Sequence, residues 1–531
     1  MSGRKCSWRG VAAAVLATCL VVLAAALLER PEPALAEPDA LPAPAETEPL
    51  SAAEAAQELR EAEEILEGAR PHQSRELTTE LRDVALALPY MRPAQRRRAR
   101  ALLARPPSSC AGCEDLNDAT PGDEPFGSGW SPSETKHRQA EEGERFVVHW
   151  VDGDPDGRHT STAQFAQRVA ELLERSADVQ HGQLGWPPPL SDGVRGGDGR
   201  VDVYLANLCD RKSRSRPCIF GFTATETQDP SCRAPGYRCA GYMVLDNDFS
   251  EFKRPLRALQ ATIAHEYNHL LQFALDAAQE TWMFESTATW VEEHVFPEAD
   301  DWLRSYVGFW ARGSRQSLTD VSAGRGLRVY GSAVWNHWLT ARYGAETVLR
   351  AWQSSRKTKP RHWAAGAYDA AIRARGGRGF GAELVRFAAA TSEWRAGDLP
   401  DRSSFPDVRR SGRIVAGGRG LRLRLNNASY ALLRPVAKGA RRLTLRVRAP
   451  RRTRSGIALV GRAGRPLSGT VVQAVRYLPR GGTATVSLGA RRLRRVTAVV
   501  VNADARVRGA PPAPRLYLRD SQRYRVRLSA R

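Results

Sequence analysis

The sequence predicts an α+β protein: a mixed-sheet domain built around one long buried helix, an α-rich lobe after it, and an antiparallel β-sandwich at the end. Three observations predict it. Between residues 145 and 290, β-branched and aromatic runs alternate with stretches of helical periodicity. From there to about Trp394 the pattern is helical with heavy aromatic faces. Past a composition shift at Pro400 to Arg413, short alternating runs separated by Gly, Pro or Asn take over, the signature of a sandwich. At 531 residues and 42% hydrophobic, the chain can bury cores in two or three domains.

The N-terminus reads as an export signal over residues 1–36. Arg4, Lys5 and Arg9 precede an uncharged apolar run from Val11 to Leu28, and Ala34-Leu35-Ala36 is an A-x-A cleavage pattern. The protein is therefore expected outside the cell; an uncleaved membrane anchor is the alternative, because that run can just span a bilayer. Glu37 to Pro49, rich in Pro, Ala and Glu, reads as a linker. Helical spacing over Ser51–Gly68 and Ser74–Leu88 is followed by the basic cluster Gln95-Arg-Arg-Arg-Ala-Arg100. Residues 37–108 thus read as a linker and helical pro-region cut near that cluster, or as an arm that stays.

Six cysteines follow the signal, an even number that in an exported chain implies disulfides. Sequence-local pairing joins Cys110 to Cys113, Cys209 to Cys218 and Cys232 to Cys239. Arg145–Val151 and Arg200–Leu205 read as strands and Thr162–Arg175 as an amphipathic helix. The acids and glycines of Asp192–Asp202 suit a hard cation such as Ca²⁺, and a tight Gly/Asp turn competes with that reading. Ala240–Asp246 is the last strand before the long helix.

That helix runs without Gly or Pro from Leu256 and contains His265-Glu266-Tyr-Asn-His269. At 3.6 residues per turn the two imidazoles project from one face and can grip one metal, with Glu266 one step round the helix. A hydrolytic zinc site takes three protein ligands and leaves a position for water. Glu285, in Trp282-Met-Phe-Glu285, is the best candidate for the third ligand, with Glu292 or Glu293 behind it.

His-Glu-x-x-His followed by Trp-x-x-Glu and Ser-x-Ala-x-Trp-x-Glu resembles the gluzincin metallopeptidases, in particular aminopeptidase-N-type and hyicolysin-type enzymes. The resemblance implies a zincin-like catalytic domain over residues 109–400, with His265, His269 and Glu285 on Zn²⁺ and Glu292 orienting a ligand histidine. It also implies that Glu266 acts as general base and that the strand at Ala240–Asp246 is the sheet edge along which substrate pairs. Aminopeptidases of this group carry Gly-x-Met-Glu-Asn there, whose Glu binds the substrate amino terminus. This chain has Gly241-Tyr-Met243-Val244-Leu245, without that carboxylate. An endopeptidase is therefore expected over an aminopeptidase, and a catalytically inactive surface-binding protein is the third reading.

Asp301–Arg312 and Val329–Tyr343 read as helices. Tyr330-Gly-Ser-Ala resembles the helix start that presents a tyrosine hydroxyl to the transition state in the aminopeptidase-like group; His337 reads as core. Residues 405–531 hold no His or Cys, which excludes catalysis of this kind there. They carry 31 Lys and Arg against three acids, a net +28 that leaves −7 for residues 1–404. Such a field attracts polyanions, and outside a cell the expected partners are anionic wall or surface polymers, lipid surfaces or acidic proteins before a specific nucleic acid; a coding bias toward arginine is the competing account of the charge. The substrate is a protein or peptide.

Overall fold

In the central sheet, strands whose residues are buried throughout show that both faces are covered. The computed structural model describes residues 50–531 except 67–76, 107–128, 154–157, 210–217, 226–231, 233–235, 322–325, 356–362, 395–397, 400–404, 407, 465–469, 491–492, 494, 506, 509–514 and 517–520. The expected export signal, the expected linker at 37–49 and the expected Cys110–Cys113 pair lie outside the described residues. The other two expected disulfides, Cys209–Cys218 and Cys232–Cys239, are present. Among the described residues no helix is long and apolar enough to cross a membrane.

The N-terminal helices are α1 (Ala52–Leu66), α2 (Thr78–Ala87) and α3 (Pro93–Leu102), and the last of these carries the basic cluster. Ser51 and Glu54 form a capping box at the start of α1, each bonding the other's backbone N–H. A short α4 (Pro132–Lys136) leads into β1 (Arg138–Glu142) and β2 (Phe146–Val151). Then come α5 (Ala163–Ala177), whose first turn is capped by Thr162, and β3 (Val201–Ala206), β4 (Gly221–Thr225) and β5 (Gly241–Asp246). The sheet order is β1-β2-β3-β5-β4, with β2, β3 and β5 parallel and the two edges antiparallel to their neighbours. The strand Gly241–Asp246 is therefore interior, not the sheet edge that the family resemblance implied. The edge beside it is β4, which at five residues is too short to stand out in the sequence.

Alternate residues of each strand serve different cores. Val203, Leu205, Met243 and Leu245 face α5 and the long α6 (Pro255–Asp276), whereas Tyr204, Ala206, Tyr242 and Val244 face Leu59, Leu81 and Val84 of the N-terminal helices. The helices of residues 52–102 are thus a packed layer on the second sheet face. Arg105 at their end is buried in ion pairs with Asp192 and Asp202, and Asp202 also meets His149 Nε2 at 2.6 Å. These pairs, with Arg200 on Asp198, already supply cations to the acids that were expected to suit Ca²⁺.

Pro255 opens α6 at a position where its missing N–H is harmless. The turn Ala277–Glu280 leads into α7 (Thr281–Val295), and both helices are almost wholly buried. The helix expected over Asp301–Arg312 is a π-turn, Trp302–Tyr306, followed by α8 (Val307–Ala311). The one expected over Val329–Tyr343 is split into α9 (Arg328–Gly331) and α10 (Val334–Tyr343), because Ser332 turns its hydroxyl back onto the Val329 carbonyl. Helices α11 (Glu346–Ser355), α12 (Ala364–Ala374) and α13 (Phe380–Ala390) complete the lobe.

The C-terminal strands are β6 (Gly412–Val415), β7 (Leu421–Leu425), β8 (Ser429–Val436), β9 (Arg442–Ala449), β10 (Ser455–Arg462), β11 (Val471–Leu478), β12 (Gly482–Gly489) and β13 (Arg495–Asn502). The two-residue pair β14 (Val507–Arg508) and β15 (Arg515–Leu516) precedes β16 (Gln522–Ala530). They form sheets β11-β10-β13-β8-β6 and β12-β9-β16-β7, which share a core containing Leu423, Leu445, Leu459 and Val500. The sandwich is not wholly antiparallel, since β6 runs parallel to β8. Its first sheet rests on α13, where Gly456 is required: a Cβ there would stand 2.1 Å from Val385.

Candidate metal centre

Helix α6 sets His265 and His269 one turn apart, and α7 packs back against it to bring Glu285 and Glu292 to the same place. All four side chains are buried, at 5%, 0%, 2% and 4% exposure. His265 Nδ1 lies 2.6 Å from Glu292 Oε1, an acceptor, so Nδ1 carries a hydrogen and Nε2 is the nitrogen left to meet a metal. His265 Nε2 is 3.3 Å from Glu285 Oε2, without the alignment of a hydrogen bond.

A chain of buried amides settles His269 in the same way. Gln180 donates to the Ala264 carbonyl (3.1 Å), and its oxygen accepts from Asn268 (2.9 Å). The Asn268 oxygen accepts from Gln272 (2.6 Å), which also donates to the Phe284 carbonyl (3.1 Å). With its NH₂ so used, Gln272 has only its oxygen left to meet His269 Nδ1, at 2.8 Å. His269 Nδ1 therefore donates and its Nε2 is bare.

Four ligand-type atoms result with no hydrogen-bond partner: Nε2 of His265, Nε2 of His269 and both oxygens of Glu285. Buried polar atoms are rarely left so. Two imidazole lone pairs and a carboxylate are a donor set that suits zinc, and the outer partners Glu292 and Gln272 are what metal-binding histidines usually have. Burial pushes His265 down, but the carboxylates of Glu285 and Glu292 hold it well above the ordinary imidazole value, so a metal bound there would displace the proton on Nε2. Burial and the neighbouring His265 push His269 well below it, and burial pushes Glu285 up.

Ligand atoms of His265, Glu266 and His269 lie within 4.8 Å of one another, a group that does not include Glu285, whose Oε2 is 3.3 Å from His265 Nε2. Glu266 is already engaged through one oxygen, whereas neither oxygen of Glu285 has a hydrogen-bond partner. The Glu266 Oε2 accepts the hydroxyl hydrogen of Thr78 of α2 (2.8 Å), and the Thr223 hydroxyl of β4 shares its one hydrogen between that oxygen (3.0 Å) and the Glu266 carbonyl (2.9 Å). Thr78 in turn accepts the Thr223 backbone N–H at 2.8 Å, so the first residue of α2 bridges the sheet edge and Glu266. From α2, Arg82 reaches the Gln279 carbonyl and the Thr281 hydroxyl and lies 4.5 Å over the Phe284 ring.

A cleft of about 30 Å³ opens on His265 and Glu266, walled by Phe220, Thr262, Asp301, Tyr306 and Tyr330. Tyr330 sits 5.8 Å from the His265 ring and 4.8 Å from that of Tyr306. The structure therefore gathers His265, Glu266, His269, Glu285, Glu292 and Tyr330. Glu293 faces away from them, toward a second cavity that His337 also lines. Sequence reasoning missed Thr78, Thr223, Gln272 and Tyr306. Only Gln272, at i+3 from His269, had a helical-spacing signal.

No protein-family model matches the chain, and no curated protein matches it. Among solved structures the chain is similar, at a TM-score of 0.12 and 10% identity, to a family GH115 4-O-methyl-alpha-glucuronidase with specificity for decorated arabinogalactans. The match covers 66% of this chain and 54% of that one. A superposition so loose carries no argument. What the fold and the cluster define is a class: an α+β protein with a buried His-His-Glu group able to hold a metal ion.

Proposed function

We propose that the protein is an exported zinc endopeptidase of gluzincin type. The observation that carries the reading is the set of four buried ligand atoms without a hydrogen bond on His265, His269 and Glu285, with the far side of each imidazole already fixed. Zinc held there supplies a Lewis acid that brings the pKa of a water toward neutrality and polarises a carbonyl. Glu266 takes the proton of the attacking water and passes it to the leaving amine. The hydroxyls of Thr78 and Thr223 hold the Glu266 carboxylate and keep it out of the ligand set. Tyr330 donates a hydrogen bond to the developing oxyanion, and Tyr306 supports its ring.

Aminopeptidases of the group carry a glutamate at the position of Val244; here that position is apolar and buried against the N-terminal helices, so the strand offers no carboxylate to a substrate amino terminus. The two disulfides and the N-terminal signal pattern support export. A peptide-library digest tests the reading. The wild-type protein should cut internal bonds, Glu266→Gln should cut none while keeping its metal, and Tyr330→Phe should lose roughly 100-fold in turnover. Cleavage by Glu266→Gln at the wild-type rate would remove Glu266 as base.

A further inference from the structure

The leaf β12-β9-β16-β7 has two unlike faces. Its inner residues, among them Leu445, Val447, Val526 and Leu423, are buried in the sandwich core. Its outer positions on three adjacent strands are arginines brought into register. Arg525 of β16 lies between Arg422 of β7 and Arg448 of β9, Arg523 lies opposite Arg424, and Arg527 opposite Arg446. All seven are exposed, and among the described residues none forms an ion pair with a carboxylate. Strands sit about 4.8 Å apart and alternate residues about 6.8 Å apart along a strand, so the guanidinium groups form a grid.

The fold does not require this. Like charges directly opposite each other destabilise a sheet, and β12 in the same leaf meets solvent with Thr483, Thr485 and Ser487 instead. Coding bias toward arginine does not explain the missing acids, since residues 1–404 hold 55 of them. Arginine forks take carboxylates two bonds at a time. Val194, Leu256, Val415 and Val472 are the exposed large hydrophobics, and none lies on these strands, so the face has no apolar wedge for a lipid surface. It has no outward aromatic ring on which bases could stack.

We propose that the outer face of β7, β16 and β9 is a docking surface for an extended, carboxylate-bearing polysaccharide laid across the arginine grid. The surface is distinct from the metal centre and does not depend on the peptidase reading. The test is binding of the full-length chain to polygalacturonate at a series of salt concentrations. A triple variant, Arg422→Ser with Arg448→Thr and Arg525→Thr, is compared with a control triple at exposed arginines of the other sheet, Arg413→Ser, Arg434→Thr and Arg476→Thr, which removes the same charge. Wild type should bind with affinity that falls as salt rises. The grid triple should lose about tenfold or more and the control less than about twofold, with the thermal midpoint of the grid triple not lowered. Equal losses in both triples would reduce the effect to net charge and overturn the proposal. So would salt-independent binding, or binding to phosphatidylserine vesicles or duplex DNA with none to polygalacturonate.

Discussion

His269 can offer Nε2 to a metal only in one of its two tautomers, and that choice is made by side chains that never touch the metal. The amide chain Gln180–Asn268–Gln272 has a single consistent direction, set at one end by the Ala264 carbonyl. Gln272→Leu removes the acceptor of the His269 hydrogen and strands the Asn268 oxygen. It should weaken zinc affinity by about 10–100-fold in a chelator competition, and unchanged affinity would mean that the chain is scaffolding only. Glu280 makes a separate prediction. Its carboxylate accepts Trp282 Nε1–H and the Ala364 N–H, and burial pushes its pKa up to about 7. A raised folded-state value stabilises below the unfolded value, near 4.5, and that contribution is lost as pH rises through 7. Relative to wild type, Glu280→Gln should therefore gain about 3 kcal/mol between pH 4.5 and pH 8 in denaturant titrations; a difference that does not move with pH contradicts it. His265 and His269 were legible because their spacing is a helical repeat, and Glu285 because its Trp-x-x-Glu setting resembles a gluzincin motif. Gln272 and Thr78 were not, since an amide or a hydroxyl in a helix has many uses and Thr78 lies 188 residues from its partner Glu266.

Among the elements, α1 to α3 gain a role that their sequence left open. Leu59, Leu81 and Val84 are buried against Tyr204, Phe222 and Tyr242, each worth about 1.5–3 kcal/mol. Tyr242 also donates to the carbonyls of Leu103 and Ala104. A protease site engineered between residues 107 and 128 and then cut should leave 50–106 bound through gel filtration in native buffer. Its release as a free fragment would contradict the packed layer. Strands with alternating burial, such as β7, β9 and β16, were readable from their period of two. β8 and β10 were not, because the sandwich core takes one face and α13 or its neighbours cover the other, which erases the alternation.

For the whole molecule, the mixed sheet with a helical layer on each face buries α6, and α7 packs against it to bring Glu285 beside His265. The division into an α+β body and a sandwich was visible as a shift in composition, whereas the contact between them was not. That contact rests on close approach at Gly456 and on Glu393, which pairs with Arg462 at 2.8 Å and Arg495 at 3.0 Å. The central claim is that His265, His269 and Glu285 together hold one divalent ion. Elemental analysis of the purified protein measures this most directly, with wild type beside Glu285→Ala. About one zinc per chain in wild type and its loss in Glu285→Ala is the predicted result. A wild-type protein without bound metal after reconstitution with zinc, or a Glu285→Ala protein that keeps a full equivalent, would contradict it.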